Sequence, residues 1–210
     1  MIQHHPDTST LISYAAGALS ANFTQIVKFH VDNCPACQKI INEGEQLGGQ
    51  LLNSNPSTST QAKTSSFDDF WQSHIQDTQL TDAKVASTLT YDQMLDTLQD
   101  GQKWKPLVPG IAQIKLMSGA QGTLRLFKIA PGMAIPLHTH SGSEMTMILK
   151  GSYTDEIGRF KAGDVADLDN DIDHQPIADT GEHCICLIAT EAPLKFKGLL
   201  PRLMQPFIGL

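Results

Sequence analysis

Residues 132–151, Gly-Met-Ala-Ile-Pro-Leu-His-Thr-His-Ser-Gly-Ser-Glu-Met-Thr-Met-Ile-Leu-Lys-Gly, constrain this chain more than any other stretch. They set Gly132, His138, His140, Glu144 and Gly151 at fixed intervals. His138 and His140 are two apart, so on a strand both point to one face. Glu144 opens the apolar run Met145-Thr146-Met147-Ile148-Leu149, which reads as the next strand. Two imidazoles and a carboxylate then converge between neighbouring strands. His174, in Asp-Ile-Asp-His-Gln-Pro, supplies a fourth ligand. Three His and one Glu suit a divalent transition metal: imidazole for zinc, copper, iron or nickel, carboxylate for the harder ions.

The spacing G-x5-H-x-H-x3-E-x6-G resembles the first motif of the cupin family. The run Gly158 to His174, with Phe160-Lys161-Ala162-Gly163-Asp164 inside it, resembles the second. That match is looser, because Ala162 stands where a proline usually precedes the glycine. The bland alternative is a pair of solvated loop histidines.

A second ligand set precedes the first in the chain. His30-x3-Cys34-x2-Cys37 spans a break at Asp32-Asn33, with helical patterns on both sides. Cys34 falls at a helix N-cap and Pro35 at a natural first helical position. The helix dipole favours thiolates there, and so would a bound metal. Three ligands leave a tetrahedral zinc one short, and His4 or His5 is in reach once the first helix brings the N-terminus back. Cys-Pro-Ala-Cys also fits a thioredoxin-like redox pair, but that wants a preceding strand, and Phe23 to Val31 reads as helix. Two unliganded core thiols are a third reading.

The motif H-x3-C-x2-C resembles that of zinc-binding anti-sigma domains. With a cupin downstream, the chain from about residue 4 to 195 resembles the ChrR-type anti-sigma factors. In that family the second His of an N-terminal His-His pair, followed by a Tyr-Ala-Ala-Gly helix, completes the site. Here the pair is His4-His5 and the helix carries Tyr14-Ala15-Ala16-Gly17, so the resemblance selects His5.

The remaining sequence fills in this frame. Helices are predicted over residues 7–19, with Asp7, Thr8 or Ser9 as N-cap, then from Ser20 or Asn22 through His30, then from Cys34 to about Leu52. Gly44, Gly48 and Gly49 weaken the far end of the third. Residues 53–66 are polar and low in complexity, and read as a flexible loop. Phe67, Phe70, Trp71 and Ile75 fall at helical spacing, and Thr88 to Leu98 give another amphipathic helix, as core or as a partner-facing surface. Beyond Asp100-Gly101-Gln102 come short strands, clearest at Ile111–Leu116, Gly122–Ile129, Glu144–Leu149, Asp164–Asp167 and Cys184–Ala189. The expected architecture is a small all-α zinc-binding domain (1–100) followed by an all-β sandwich or barrel domain of cupin type (101–210). Cys184 and Cys186 share one strand face, as small core residues or as a candidate redox pair. His183 reads as a solvated strand-end residue and His74 as a surface helix residue.

Charge is segregated. Residues 1–100 hold 4 Lys+Arg against 11 Asp+Glu, while residues 101–210 hold 11 of each, so the net −7 belongs to the first half. Such a surface repels nucleic acid and suits a basic protein partner, or is merely soluble. There is no apolar run of about 18 residues and no basic start with an apolar signal core, so neither a membrane span nor secretion is expected. Paired cysteines beside many histidines point to metal or redox use in a reducing cytoplasm rather than a disulfide framework.

The resemblance implies a cytoplasmic, non-catalytic transcription regulator that sequesters an extracytoplasmic-function sigma factor. It implies a structural zinc on His5, His30, Cys34 and Cys37. It also implies a cupin metal on His138, His140, Glu144 and His174, zinc first, iron or manganese as alternatives. Release would follow oxidative stress from singlet oxygen or organic hydroperoxide, with no direct contact to nucleic acid or membrane. The rival reading is a cupin dioxygenase or isomerase with an acidic helical extension. It has no use for His30, Cys34 and Cys37.

Overall fold

The computed structural model describes residues 2–54, 94, 98, 104–120, 122–139, 142–169, 172–192 and 195–196. Three helices come first: α1 (Thr8–Ala15), α2 (Ala21–Val31) and α3 (Pro35–Ser54). Among the described residues eleven strands follow: β1 (Lys105–Val108), β2 (Ile111–Gly119), β3 (Gly122–Ile129), β4 (His138–Thr139), β5 (Glu144–Lys150), β6 (Ser152–Thr154), β7 (Arg159–Lys161), β8 (Val165–Leu168), β9 (Ile177–Ala178), β10 (Cys184–Thr190) and β11 (Lys195–Phe196). This is the expected order of helices and then an all-β part.

The helix boundaries have local causes. α1 ends sooner than periodicity suggests, because Gly17 turns to φ +67° and its N–H bonds Tyr14 O at 2.9 Å, a glycine C-terminal stop. Asp7 is at the N-cap of α1 as expected, but its side chain makes no cap bond. Its N–H is instead donated to Asp167 Oδ2, 3.1 Å away. Asn33 closes α2 by donating from Nδ2 to Phe29 O at 3.1 Å. Pro35 then opens α3, as its fixed φ and absent N–H predict. α3 runs through all three of its glycines to Ser54, so Asn53 and Ser54 of the expected loop are helical. The rest of that loop, and Phe67, Phe70, Trp71, His74 and Ile75, lie outside the described residues, as does most of the 88–98 helix. Of that helix Met94 is described, and buried.

The strands build a six-stranded sheet of order β1-β2-β3-β10-β5-β8, a three-stranded sheet β7-β6-β9 and the pair β11-β4. All the pairings are antiparallel. Alternation along the strands sorts side chains between two cores. Leu124, Leu126, Met145, Met147, Val165, Ile185 and Leu187 join one cluster with Leu11, Phe23, Ile26, Val27, Phe29 and Ile41 of the helices. Phe127, Ile129, Ile148, Ala166, Leu168, Cys184 and Cys186 form the other with Tyr153, Phe160 and Ala178. The central strand β10 is covered on both faces, which explains its unbroken apolar run Cys-Ile-Cys-Leu-Ile-Ala. Helix α2 packs on β10, β5 and β3, so helices and sheet share a core.

The N-terminal segment reaches the sheet as well. β8 is an edge strand of the six-stranded sheet. Residues 3–7 lie along its free side, with Val165 N–H donated to His4 O at 3.2 Å and the Asp7–Asp167 bond one step on. An otherwise open edge is thereby covered.

Phe29 is fully buried in the shared cluster. Phe29→Ala should cost about 3–5 kcal/mol in urea unfolding. The helical and β signals should shift together, whereas an independently folding helical unit would melt in its own earlier transition.

Candidate metal centres

Two groups of side chains converge among the described residues. The first is His5, His30, Cys34 and Cys37. His30 is the last buried residue but one of α2, Cys34 sits just before α3, and Cys37 lies in its first turn. The kink at Asp32-Asn33 turns both helix ends to one point. His5 comes from the segment along β8. His5 Nδ1 is 3.3 Å from His30 Nε2, 3.3 Å from Cys34 Sγ and 3.4 Å from Cys37 Sγ. Cys37 Sγ is 3.4 Å from His30 Nε2. A tetrahedral zinc with ordinary bond lengths spaces its donors about 3.4–3.8 Å apart, so the donor set fits that ion closely. His4, the alternative candidate, is elsewhere: its ring lies against Phe160, tilted by 36°, centroids 4.3 Å apart.

The surroundings complete the fit. His30 Nδ1–H donates to Gly163 O at 2.9 Å, which leaves Nε2 as the lone-pair nitrogen facing the thiols, the usual arrangement for a ligating imidazole. Burial, with the neighbouring His5, lowers the His30 pKa against the opposing pull of that carbonyl. Burial and the Cys34 thiol push Cys37 up to about 12. Without a cation the Cys37 thiol keeps its proton. A bound divalent ion would displace it.

The second group is His138, Glu144 and His174, all buried inside the barrel. His138 lies on β4 and bridges to His174, and Glu144 begins β5. The two Nε2 atoms are 3.0 Å apart, and His174 Nε2 is 3.8 Å from Glu144 Oε1. Each ring is oriented from behind. His138 Nδ1–H donates to Pro136 O at 2.9 Å, and His174 Nδ1–H to Asp155 Oδ2 at 3.1 Å. This is a carboxylate–histidine arrangement that raises ligand basicity. Burial would raise the Asp155 carboxyl, but His174 and the N–H groups of Ile157 and Gly158 hold it below its usual value. His140, the other expected ligand, lies outside the described residues.

Sequence reading missed Asp155. The signal was present, since Asp155-Glu156-Ile157-Gly158 is a turn in which Asp155 Oδ1 accepts from Ile157 and Gly158. Nothing local tied that turn to His174. Cys184 and Cys186 are 0% and 2% exposed in the barrel core. Its hydrogen bond with Cys184, with burial, drives the Cys186 thiol well above its ordinary pKa. His183 is exposed at the start of β10, as expected.

Asp155→Asn should weaken metal binding at the barrel site by about 10–100-fold while the first site keeps its zinc, measured by metal titration with chelator competition. Zinc uptake at the first site should release the Cys37 proton, so affinity should fall as the buffer goes from mildly alkaline to mildly acidic. A pH-independent affinity would remove the thiol from the ligand set.

Residues 93–193 match the family model described as ChrR cupin-like domain. Over 213 aligned residues, 100% of this chain and 99% of the relative, the protein is 35% identical to the anti-sigma-E factor ChrR of Cereibacter sphaeroides. Its fold also matches a chain in the crystal structure of Rhodobacter sphaeroides SigE in complex with the anti-sigma ChrR. There the TM-score is 0.69 at 31% identity, over 90% of this chain and 99% of that one. The chain belongs to the ChrR family of anti-sigma factors.

Proposed function

We propose that this ChrR-family chain sequesters an extracytoplasmic-function sigma factor in the cytoplasm and releases it on oxidative stress sensed in the barrel. The observation that carries the reading is the four-donor site His5–His30–Cys34–Cys37, found in a chain alignable end to end with an anti-sigma factor. Residues 1–100 are the sigma-binding part and residues 101–210 the cupin sensor. Zinc on the first site is structural: four ligands close it, and helices as short as α1 and α2 need such support. The barrel metal sits on His138, His140, Glu144 and His174. Zinc is the first choice there, and iron or manganese the alternatives. Singlet oxygen or organic hydroperoxide is the signal, with Cys184 and Cys186 as a candidate redox pair deeper in the barrel. The chain acts on transcription through a protein partner and not on DNA, in keeping with its acidic first half. No helix among the described residues is long and apolar enough to cross a membrane.

The far half of α3 supplies a docking face. Leu47, Leu51 and Leu52 are 58%, 59% and 80% exposed, on the helix that begins at the zinc site. Leu47 and Leu51, four apart, form a stripe on a far half of α3 whose other residues, Leu52 aside, are polar or glycine. Helix-in-groove binding uses anchors of this spacing, and the acidic surroundings suit a basic sigma surface. The zinc fixes the start of α3 and so aims this stripe.

Purified chain should inhibit transcription by polymerase carrying its cognate sigma factor, and a zinc chelator should abolish the inhibition. Leu51→Glu should weaken sigma binding at least about tenfold, as expected of a buried anchor, with zinc content unchanged. Undiminished inhibition by zinc-free Cys34→Ala protein would sink the structural role given to the metal.

A further inference from the structure

Two of the four ligands of the first metal site are held from the barrel. His30 is anchored by the Gly163 carbonyl at 2.9 Å. The segment carrying His5 is anchored by Asp164, which is fully buried. Asp164 Oδ1 accepts the Gln3 N–H at 2.6 Å and the His4 N–H at 3.1 Å. Its Oδ2 accepts the Lys161 N–H at 3.0 Å. A buried carboxylate spent on three backbone N–H groups makes strong, charge-assisted bonds. Ile2 packs against Gly163, and the His4 ring lies against Phe160 of β7. Neither Gly163 nor Asp164 is a metal ligand or part of the barrel's ligand set.

The same two residues are bonded on their other side to β5. Ile148 N–H donates to Asp164 O at 3.0 Å, and Gly163 N–H donates to Ile148 O at 2.9 Å. β5 begins at Glu144, and Glu144 is paired with Leu168 of β8. One strand therefore separates the segment bearing His5 from the strand bearing Glu144.

We propose that Asp164, with the Gly163 carbonyl, is the positioning element of the four-donor site, so that the barrel sets the geometry and hence the zinc affinity of the helical part. This rests on the assignment of that site to zinc. Asp164 fixes the backbone of residues 3–4 and thereby delivers the exposed His5 to a point that His30, Cys34 and Cys37 define from buried positions. Loss of the clasp frees His5 first, leaving a three-ligand site open to water. A rearrangement at Glu144 reaches the clasp through β5 and the 163–164 turn. This gives the barrel a physical route to the sigma-binding helices.

The test is zinc release from the full chain to a chromogenic chelator, with zinc X-ray absorption as the second readout. Asp164→Asn keeps the side-chain shape but loses the charge and one acceptor. It should speed release about 10–100-fold, the range for a lost outer-shell partner, and lower the nitrogen share of the zinc shell. Gln3→Pro removes one clasp donor without altering the barrel and should act in the same direction, less strongly. It also serves if Asp164→Asn does not fold. Ile129→Val, a barrel-core change remote from the clasp, should leave release at the wild-type rate, which separates positioning from general loss of stability. Wild-type release and an unchanged zinc shell in Asp164→Asn or, where that variant cannot be made, in Gln3→Pro would overturn the proposal. Absence of any zinc difference between the parent protein and Cys34→Ala would instead overturn the zinc assignment beneath it.

Discussion

Four donor atoms aimed at one point are a costly arrangement. His5, His30, Cys34 and Cys37 stand 3.3–3.4 Å apart across four contacts, with their lone pairs turned toward one another. A divalent cation removes that cost, because it takes up the lone pairs and displaces the Cys37 proton. The helical part follows from this point. α2 ends at it, α3 starts at it, and the N-terminal segment is drawn back to it. α1 has 8 residues and α2 has 11, lengths at which isolated helices are marginal in water. The metal site and the apolar face of the barrel sheet together supply what propensity does not.

The sheet has two jobs, and alternation separates them. One face of β3, β10 and β5 meets the helices, and the other closes around the apolar interior and its candidate metal ligands. The two candidate metal centres are thus on opposite sides of one layer of backbone. Packed sheets do not deform continuously, so a displacement of Glu144 is resisted locally or passed across the layer. The 163–164 turn is a place where hydrogen bonds make that crossing. It is bonded to β5 on one side and to His30 and residues 3–4 on the other.

Much of the candidate chemistry was legible in advance, because ligands are chosen for side-chain type and short-range spacing. His30, Cys34 and Cys37 lie within eight positions of chain and share one helix break. His138 and Glu144 fall in one compact motif, and His174 was reached from the second, looser one. Choosing His5 over His4 was different: it came from family resemblance, and spacing alone left both open. The geometry separates them, since His5 Nδ1 joins the thiols while His4 faces Phe160. Asp155, Gly163 and Asp164 were not legible as functional residues. Each acts on a partner at a sequence separation of 19, 133 and up to 161 residues, and no local pattern encodes such a meeting.

The sequence by itself determined the ligand types, the unbroken apolar run that becomes β10, and the order of helical and β parts. These depend on neighbours along the chain: a two-residue period, a helix N-terminus beside a thiol, a glycine that must stop α1. Only the tertiary structure decided that helices and barrel share one core, that residues 3–7 cover the edge of β8, and that Gly163 and Asp164 bond to His30 and residues 3–4. Those are long-range contacts. Their pairing is set by which surfaces remain uncovered once the local elements have formed, and that is a property of the assembled fold rather than of any window of residues.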